Sequence, residues 1–154
     1  MEIIEGRIVV ETLMRVEVLL IMLMSAFQDL REKKIDIMYP LACAIISVSW
    51  CVYDIAFCGG DIKFIFMSLL PGAIMLVLSK LLKIGIGEGD GLMVLLAGPV
   101  FGPVLVLTGV TVAFAFSAIA GMLLLILGRA TLKSRMAFLP YLTAGMGVIS
   151  FAFI

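Results

Sequence analysis

The chain has 154 residues, of which 64% are hydrophobic and 14% are charged, and its mean hydropathy is +1.27. Soluble domains are about 25% charged, so this composition predicts a membrane protein. The formal net charge is zero and no basic run alternates with aromatic residues, so we expect no nucleic-acid partner. The absence of histidine excludes Ser-His-Asp and Cys-His nucleophile systems and HExxH zinc sites.

Cysteine spacing and the N-terminal residues add two further expectations. Cys43, Cys51 and Cys58 never approach CxxC spacing, so we expect them to be small apolar packing residues. We expect no metal and no cofactor. The start MEIIEGR lacks a positive n-region, and acidic residues continue to Glu17, so we expect it to belong to the mature protein. Residues 1–154 are expected to form a single integral membrane domain.

Six apolar segments are candidate membrane helices, because a spanning helix needs about 20 apolar residues. The first is the weakest, since Glu11, Arg15 and Glu17 interrupt it; Glu11 and Arg15 have the i, i+4 spacing of an ion pair. The fourth is short, because Gly-Pro pairs at 98–99 and 102–103 break a helix. We therefore predict an all-α membrane protein, a six-helix transmembrane bundle with a short fourth helix, over residues 8–27, 37–57, 64–82, 91–98, 104–127 and 136–154. Prolines at 71 and 140 are expected to kink their helices.

Basic residues are distributed unevenly between the two sides of this bundle. If the first helix runs inward, the cytoplasmic side carries Arg31, Lys33, Lys34, Lys80, Lys83, Arg129, Lys133 and Arg135, and the outer side carries Arg7, Arg15 and Lys63. The positive-inside rule then predicts a multi-pass protein with both termini outside. Asp29 and Asp90 lie on the cytoplasmic face in this arrangement.

Asp29 and Asp90 are the best candidates for chemistry. Asp29 ends the first apolar segment in SAFQDLREKKI, and Asp90 opens the fourth in KIGIGEGDGLMVLLAG. An ionisable group at membrane depth is costly, so each is a functional hypothesis. Two carboxylates held close together in a poorly solvated place share a proton, and such a pair activates water against a peptide carbonyl. Glycines at 85, 87, 89 and 91 would let an extended substrate approach Asp90 closely.

Three segments resemble the type IV prepilin peptidases. Asp29-Leu30-Arg31 followed by Ile35 resembles their D-x-R-x-x-x-I segment, and Gly87-Glu88-Gly89-Asp90 resembles their GxGD motif. The stretch FLPYLTAG, residues 138–145, resembles their C-terminal F-G-P-F-L-x-x-G. The resemblance runs from about Phe27 to the end of the chain, in the order of the family.

The resemblance implies a GxGD-type aspartyl endopeptidase in a bacterial cytoplasmic membrane, with Asp29 and Asp90 catalytic. Such enzymes remove the short basic leader of prepilin-like proteins at the cytoplasmic face, cutting after a glycine and before the apolar helix. Full-length members also carry a zinc-binding region with two CxxC pairs, and they methylate the new N-terminus. Nothing here corresponds to that region, so we expect neither zinc nor methyltransferase activity. The compact form is similar to the small peptidases of tight-adherence pilus systems or of some Gram-positive bacteria.

Supporting roles are assigned to residues near the two aspartates. Gly87, Glu88 and Gly89 are candidate substrate-binding residues; Glu88 would attract a basic leader or serve as a solvated loop residue. Arg31 would orient a carboxylate or anchor the topology, and Gln28 would hydrogen-bond near Asp29. Three positions depart from the family: positions 36 and 37 are aspartate and isoleucine where the family has proline and asparagine, and position 139 is leucine where it has glycine. Aspartates 54 and 61 are expected in boundary or loop positions.

Three other functions remain open at this stage. A lipoprotein signal peptidase also uses two aspartates, but its site faces the outer side. A Ser/Lys peptidase would need Ser79-Lys80 or Lys133-Ser134, yet adjacent helical residues point in different directions. A small transporter or assembly scaffold would use the aspartates to bind ions or hold helices together.

Overall fold

The computed structural model describes residues 2–32, 35–82, 87–128 and 137–152, and these form five α-helices. They are α1 (Glu2–Glu32), α2 (Met38–Phe57), α3 (Ile62–Leu82), α4 (Glu88–Ile126) and α5 (Leu139–Ala152). Helix α4 lies against each of the other four, and α1 also packs against α2 and α5. The prediction of an all-α protein is confirmed.

The surface of the bundle is apolar, as expected for a protein dissolved in lipid. Three helical stretches are long and apolar enough to cross a membrane, Met38–Phe57, Ile62–Leu81 and Glu88–Ile126, and α5 is a shorter apolar helix. Large apolar side chains such as Leu107 and Phe151 are exposed, whereas Ser25 and Ser47 are buried. Small polar residues between helices and apolar residues outside are the pattern of membrane bundles. The chain is therefore an integral membrane protein.

The prediction of six separate helices is wrong, because the expected fourth and fifth helices follow one another directly and are joined across a kink at Gly102. Helix α4 has 39 residues and departs from helical angles only at Gly102, where φ is 76° and ψ is 165°. Glycine adopts a positive φ at little cost, and Pro103 lacks the N–H that a continuous helix would require. Gly98 and Pro99 remain helical. The Gly102 break divides α4 into two arms without a loop between them.

Close helix contacts through glycine hold the first arm of α4 against α3. A Cβ added at Gly98 would collide with the carbonyl oxygen of Ser68, and one added at Gly91 would lie 3.0 Å from the backbone nitrogen of Leu76. Position 98 thus faces position 68 while position 91 faces position 76, so the two helices run antiparallel. Small residues allow this backbone approach in membranes. The contact fixes the beginning of α4, where Asp90 lies.

Helices α1 and α5 differ from the predicted segments at their ends. Helix α1 extends beyond residues 8–27 on both sides, and the predicted Glu11–Arg15 ion pair is confirmed. Helix α5 begins at Leu139, so Pro140 lies in its first turn, where proline is tolerated, and the predicted kink there is wrong. The hydroxyl of Thr143 donates to the carbonyl oxygen of Met22 at 3.2 Å and joins α5 to α1.

Candidate active site

Asp29 lies in the last turn of α1, and its carboxylate is next to the first residue of α5. Its exposed fraction is 8%, and the backbone N–H of Leu139 donates a hydrogen bond to its carboxylate. Leu139 is the first residue of α5. The first N–H groups of a helix have no partner within it, and the helix dipole favours negative charge there. Burial disfavours the charged form of Asp29, and the N–H of Leu139 at the beginning of α5 partly offsets this effect.

Asp90 also lies at the beginning of a helix, in this case its own helix α4. It belongs to the first turn of that helix, and its exposed fraction is 4%. The backbone N–H of Gly87 donates to Oδ2 of Asp90 at 3.2 Å, and the N–H of Asp90 donates to the carbonyl oxygen of Gly87 at 3.1 Å. These reciprocal bonds close the first turn, as in a capping box. The rotamer of Asp90 is consequently constrained by its own loop.

The structure brings the two predicted carboxylates together at one end of the bundle. Asp29 and Asp90 are both buried and lie near enough to each other to interact electrostatically. Each also accepts a backbone N–H at the beginning of a different helix. Two like charges in a poorly solvated place favour a state in which one proton is shared. That state supplies one acid and one base.

A direct contact joins the first two sequence motifs. A Cβ added at Gly89 would lie only 2.7 Å from Cδ1 of Ile35, which shows that the Ile35 side chain rests against the glycine. Ile35 belongs to the segment that begins with Asp29, and Gly89 immediately precedes Asp90. Leu139 of the third motif donates to Asp29. All three motif segments therefore meet around the carboxylates.

Gln28 forms two hydrogen bonds near the end of α1. Its Nε2 donates to Oε2 of Glu32 at 3.2 Å, and its Oε1 accepts the backbone N–H of Asp36 at 3.2 Å. The second bond ties the end of α1 to the segment just before α2. Gln28 thus holds the segment that carries Ile35.

Most of the other predicted supporting residues lie at the surface. Gly87, Glu88 and Arg31 are exposed, while Gly89 is half-buried under Ile35. Within the described ranges, no ion pair joins Arg31 to either catalytic candidate. Several residues named from the sequence lie outside the described ones: Lys33, Lys34, Lys83, Gly85, Arg129, Lys133, Ser134 and Arg135.

An apolar groove runs beside Asp29 between α1 and α5. Its volume is about 340 Å³, and its walls include Phe27 and Leu30 of α1 and Pro140 and Ala144 of α5. The groove is almost free of polar surface. An apolar helix or chain would therefore fit in this groove, whose wall residues Phe27 and Leu30 flank Asp29 along α1, without leaving polar groups unpaired.

The structure also tests the Ser/Lys alternative at one of its two pairs. Ser79 is buried and its hydroxyl donates to the carbonyl oxygen of Leu76 at 2.9 Å, whereas Lys80 is exposed. The two side chains point apart, so this pair forms no dyad. Within the described residues, no group of three or more His, Cys, Asp or Glu side chains is placed to hold a metal ion.

Two features were missed from the sequence. The Leu139 N–H is a backbone group without a side-chain signature, although the following proline is typical of a first helical turn. The pairing of Asp54 was also missed: it lies in the last turn of α2, a boundary position as expected, but its side chain is buried and pairs with Arg7. Asp61 is exposed between α2 and α3, as predicted.

No family model, curated protein or solved structure matches the chain.

Proposed function

We propose that this protein is a membrane aspartyl endopeptidase that removes the short basic leader of prepilin-like proteins. Its site would face the cytoplasmic side of a bacterial membrane and cut after glycine. The observation that carries this proposal is the convergence of two buried carboxylates, each at the beginning of a helix, with all three family-like segments around them. No other pair of acids in the described residues shares these features.

The proposed reaction is hydrolysis by a carboxylate pair that holds one proton. The ionised carboxylate of Asp29 or Asp90 takes a proton from water, whose oxygen attacks the scissile carbonyl carbon. The protonated partner donates to the carbonyl oxygen. Collapse of the tetrahedral intermediate breaks the C–N bond, the amine leaves with a proton, and the pair again holds one proton. No metal or covalent intermediate is needed.

The surroundings of Asp29 and Asp90 suit a substrate that has a basic leader followed by an apolar helix. The groove between α1 and α5 offers an apolar surface beside Asp29. Three acids on neighbouring segments, Glu32, Asp36 and Glu88, are exposed and would attract a positive leader. The scissile bond between leader and helix would then lie between the acidic rim and the groove.

The experiment is co-expression of the protein with a prepilin-like substrate, followed by measurement of leader removal by mass. Asp29→Asn and Asp90→Asn are the test variants, because an amide oxygen still accepts the N–H of Leu139 or Gly87 while the acid–base function is lost. Asp61→Asn is the matched control, since that aspartate is exposed and distant from the pair along the chain. Membrane yield and melting temperature are measured for every variant.

We expect cleavage by the wild type and by Asp61→Asn, and none by either test variant at comparable yield. Continued cleavage by Asp29→Asn or Asp90→Asn would refute the proposal in favour of a scaffold or transporter. A reporter fused at residue 30 tests the side of the membrane. An outer location would favour a lipoprotein signal peptidase-like enzyme instead.

A further inference from the structure

A second polar region lies at the other end of the bundle. It is a cavity of about 360 Å³ between α1, α2, α3 and α4, which we call the polar cavity. Its charged walls are Arg7, Glu11, Arg15 and Asp54, and its other walls are mainly apolar. The volume is within the range of roughly 300–1,000 Å³ that is typical of ligand sites.

The charges of the polar cavity balance in two ion pairs. Nη2 of Arg7 lies 3.0 Å from Oδ1 of Asp54, and Arg15 pairs with Glu11 one helical turn away. Only 9% of the Asp54 side chain is exposed, and 15% of the Arg15 side chain. The cavity therefore has formal charge zero, with a buried acid, Asp54, and a largely covered base, Arg15.

Two polar atoms of the cavity lack a hydrogen-bond partner in the part of the chain that the structure describes. They are Nε of Arg15, a donor, and Oδ1 of Asp54, whose ion contact with Arg7 is not aligned as a hydrogen bond. A buried polar group without a hydrogen bond is destabilising. A ligand that satisfies both must carry an acceptor and a donor.

Helix geometry places the polar cavity near the membrane face opposite the aspartates. Glu11 and Asp29 are separated on α1 by about 27 Å, and Gly102 and Asp90 on α4 by about 18 Å, at 1.5 Å per residue. The hydrocarbon core of a bilayer is about 30 Å thick. With the aspartates near one boundary, the cavity lies near the headgroups of the other leaflet.

Among phospholipid headgroups, phosphoethanolamine matches this site best. Its phosphate accepts hydrogen bonds from arginine, and its ammonium donates N–H groups to a carboxylate. Phosphocholine has no N–H to donate, and phosphoglycerol brings a net negative charge that the acids Glu11 and Asp54 would repel. The apolar walls would contact the first part of the acyl chains. We propose that the polar cavity binds the phosphoethanolamine headgroup of a membrane phospholipid.

The test uses the full-length protein purified in detergent. Short-chain phosphatidylethanolamine, phosphatidylcholine and phosphatidylglycerol are added in turn, and melting temperature and lipid adducts by native mass spectrometry are recorded. Free phosphoethanolamine forms a fourth arm, which separates headgroup binding from binding that also needs acyl chains. The test variant is Glu11→Gln/Arg15→Gln, which removes both members of a pair and leaves no unpaired buried charge. Lys63→Gln removes a positive charge near the same end, outside the cavity lining.

We expect phosphatidylethanolamine to raise the melting temperature of the wild type and of Lys63→Gln more than the other lipids do. The double variant should bind it at least about tenfold more weakly, the equivalent of one charged hydrogen bond. Equal effects of all three lipids, preference for phosphatidylglycerol, or unchanged binding by a folded double variant would overturn the proposal. The wild-type lipid order decides the question even if the double variant fails to fold.

Discussion

The side chain of Ile35 rests directly on the backbone of Gly89, so that a Cβ at position 89 would lie 2.7 Å from Cδ1 of Ile35. This contact joins the segment that follows Asp29 to the residue that precedes Asp90. Because the clashing atom is the tip of a flexible side chain, the contact is adjustable and can be tested by paired substitutions.

Gly89→Ala is expected to reduce leader cleavage by displacing Ile35, at a stability cost of about 1 kcal/mol, the low end for overpacking, because the tip of Ile35 can move aside. Ile35→Val removes the clashing Cδ1 and should restore much of the lost activity in the double variant. Cleavage and melting temperature of the two single variants and the double variant form a double-mutant cycle. If the losses of the two single variants simply add up in the double variant, residues 35 and 89 are not in contact.

Leu139 is expected to act on Asp29 through its backbone N–H. Leu139→Pro removes that donor at a position where the helix tolerates proline, whereas Leu139→Ala shortens the same buried side chain and keeps the donor. A hydrogen bond to a charged group contributes about 1.5–3 kcal/mol, so Leu139→Pro should cut cleavage by roughly ten- to a hundredfold relative to Leu139→Ala. Equal rates at equal yield would show that the N–H has no part in the site.

The pH dependence of cleavage should be bell-shaped if Asp29 and Asp90 share one proton. At low pH both carboxyls are protonated and no base remains, while at high pH both are ionised and no acid remains. Activity should therefore fall on both sides of an optimum. The two apparent pKa values of this profile belong to the pair and not to either aspartate alone. Initial rates with purified enzyme across pH, at constant salt, give the profile; a rate that only rises with pH would indicate a single base.

Packing of α5 provides a stability test with its own control. A Cβ at Gly145 would lie 2.5 Å from the carbonyl oxygen of Gly109, whereas one at Gly147 would meet nothing within 4 Å. Gly145→Ala should lower stability by about 1–3 kcal/mol or more, since backbone cannot yield as a side chain can. Gly147→Ala should be neutral or stabilising by up to about 1 kcal/mol. Thermal unfolding in detergent compares the two, and similar melting temperatures would contradict the α4–α5 packing.

Local sequence signals predicted much of the candidate site. Where they failed to predict the structure, the failure has a physical cause. Acids at the edges of apolar runs marked Asp29 and Asp90, because charge at membrane depth is expensive. Glu11, Arg15 and Glu17 made α1 the weakest candidate because they lower the local hydropathy, although Glu11 and Arg15 are paired in the folded chain. Hydropathy does not register such partners.

The predicted number of helices was wrong for a similar reason. Two Gly-Pro pairs have the same local signal, yet only Gly102 leaves helical angles. At Gly98 the missing side chain instead serves the close contact with Ser68 of α3. The distinction depends on a neighbouring helix.

By itself, the sequence determined that this is an apolar, helical, histidine-free membrane protein with two acids at helix ends, because hydropathy and residue type are local properties. Only the tertiary structure decided that the Leu139 N–H meets Asp29, that Ile35 covers Gly89, and that Arg7 pairs with Asp54. The last pair joins positions far apart in the chain. Such contacts arise from how the helices pack, and helix packing depends on the close approach of backbones at a few small residues.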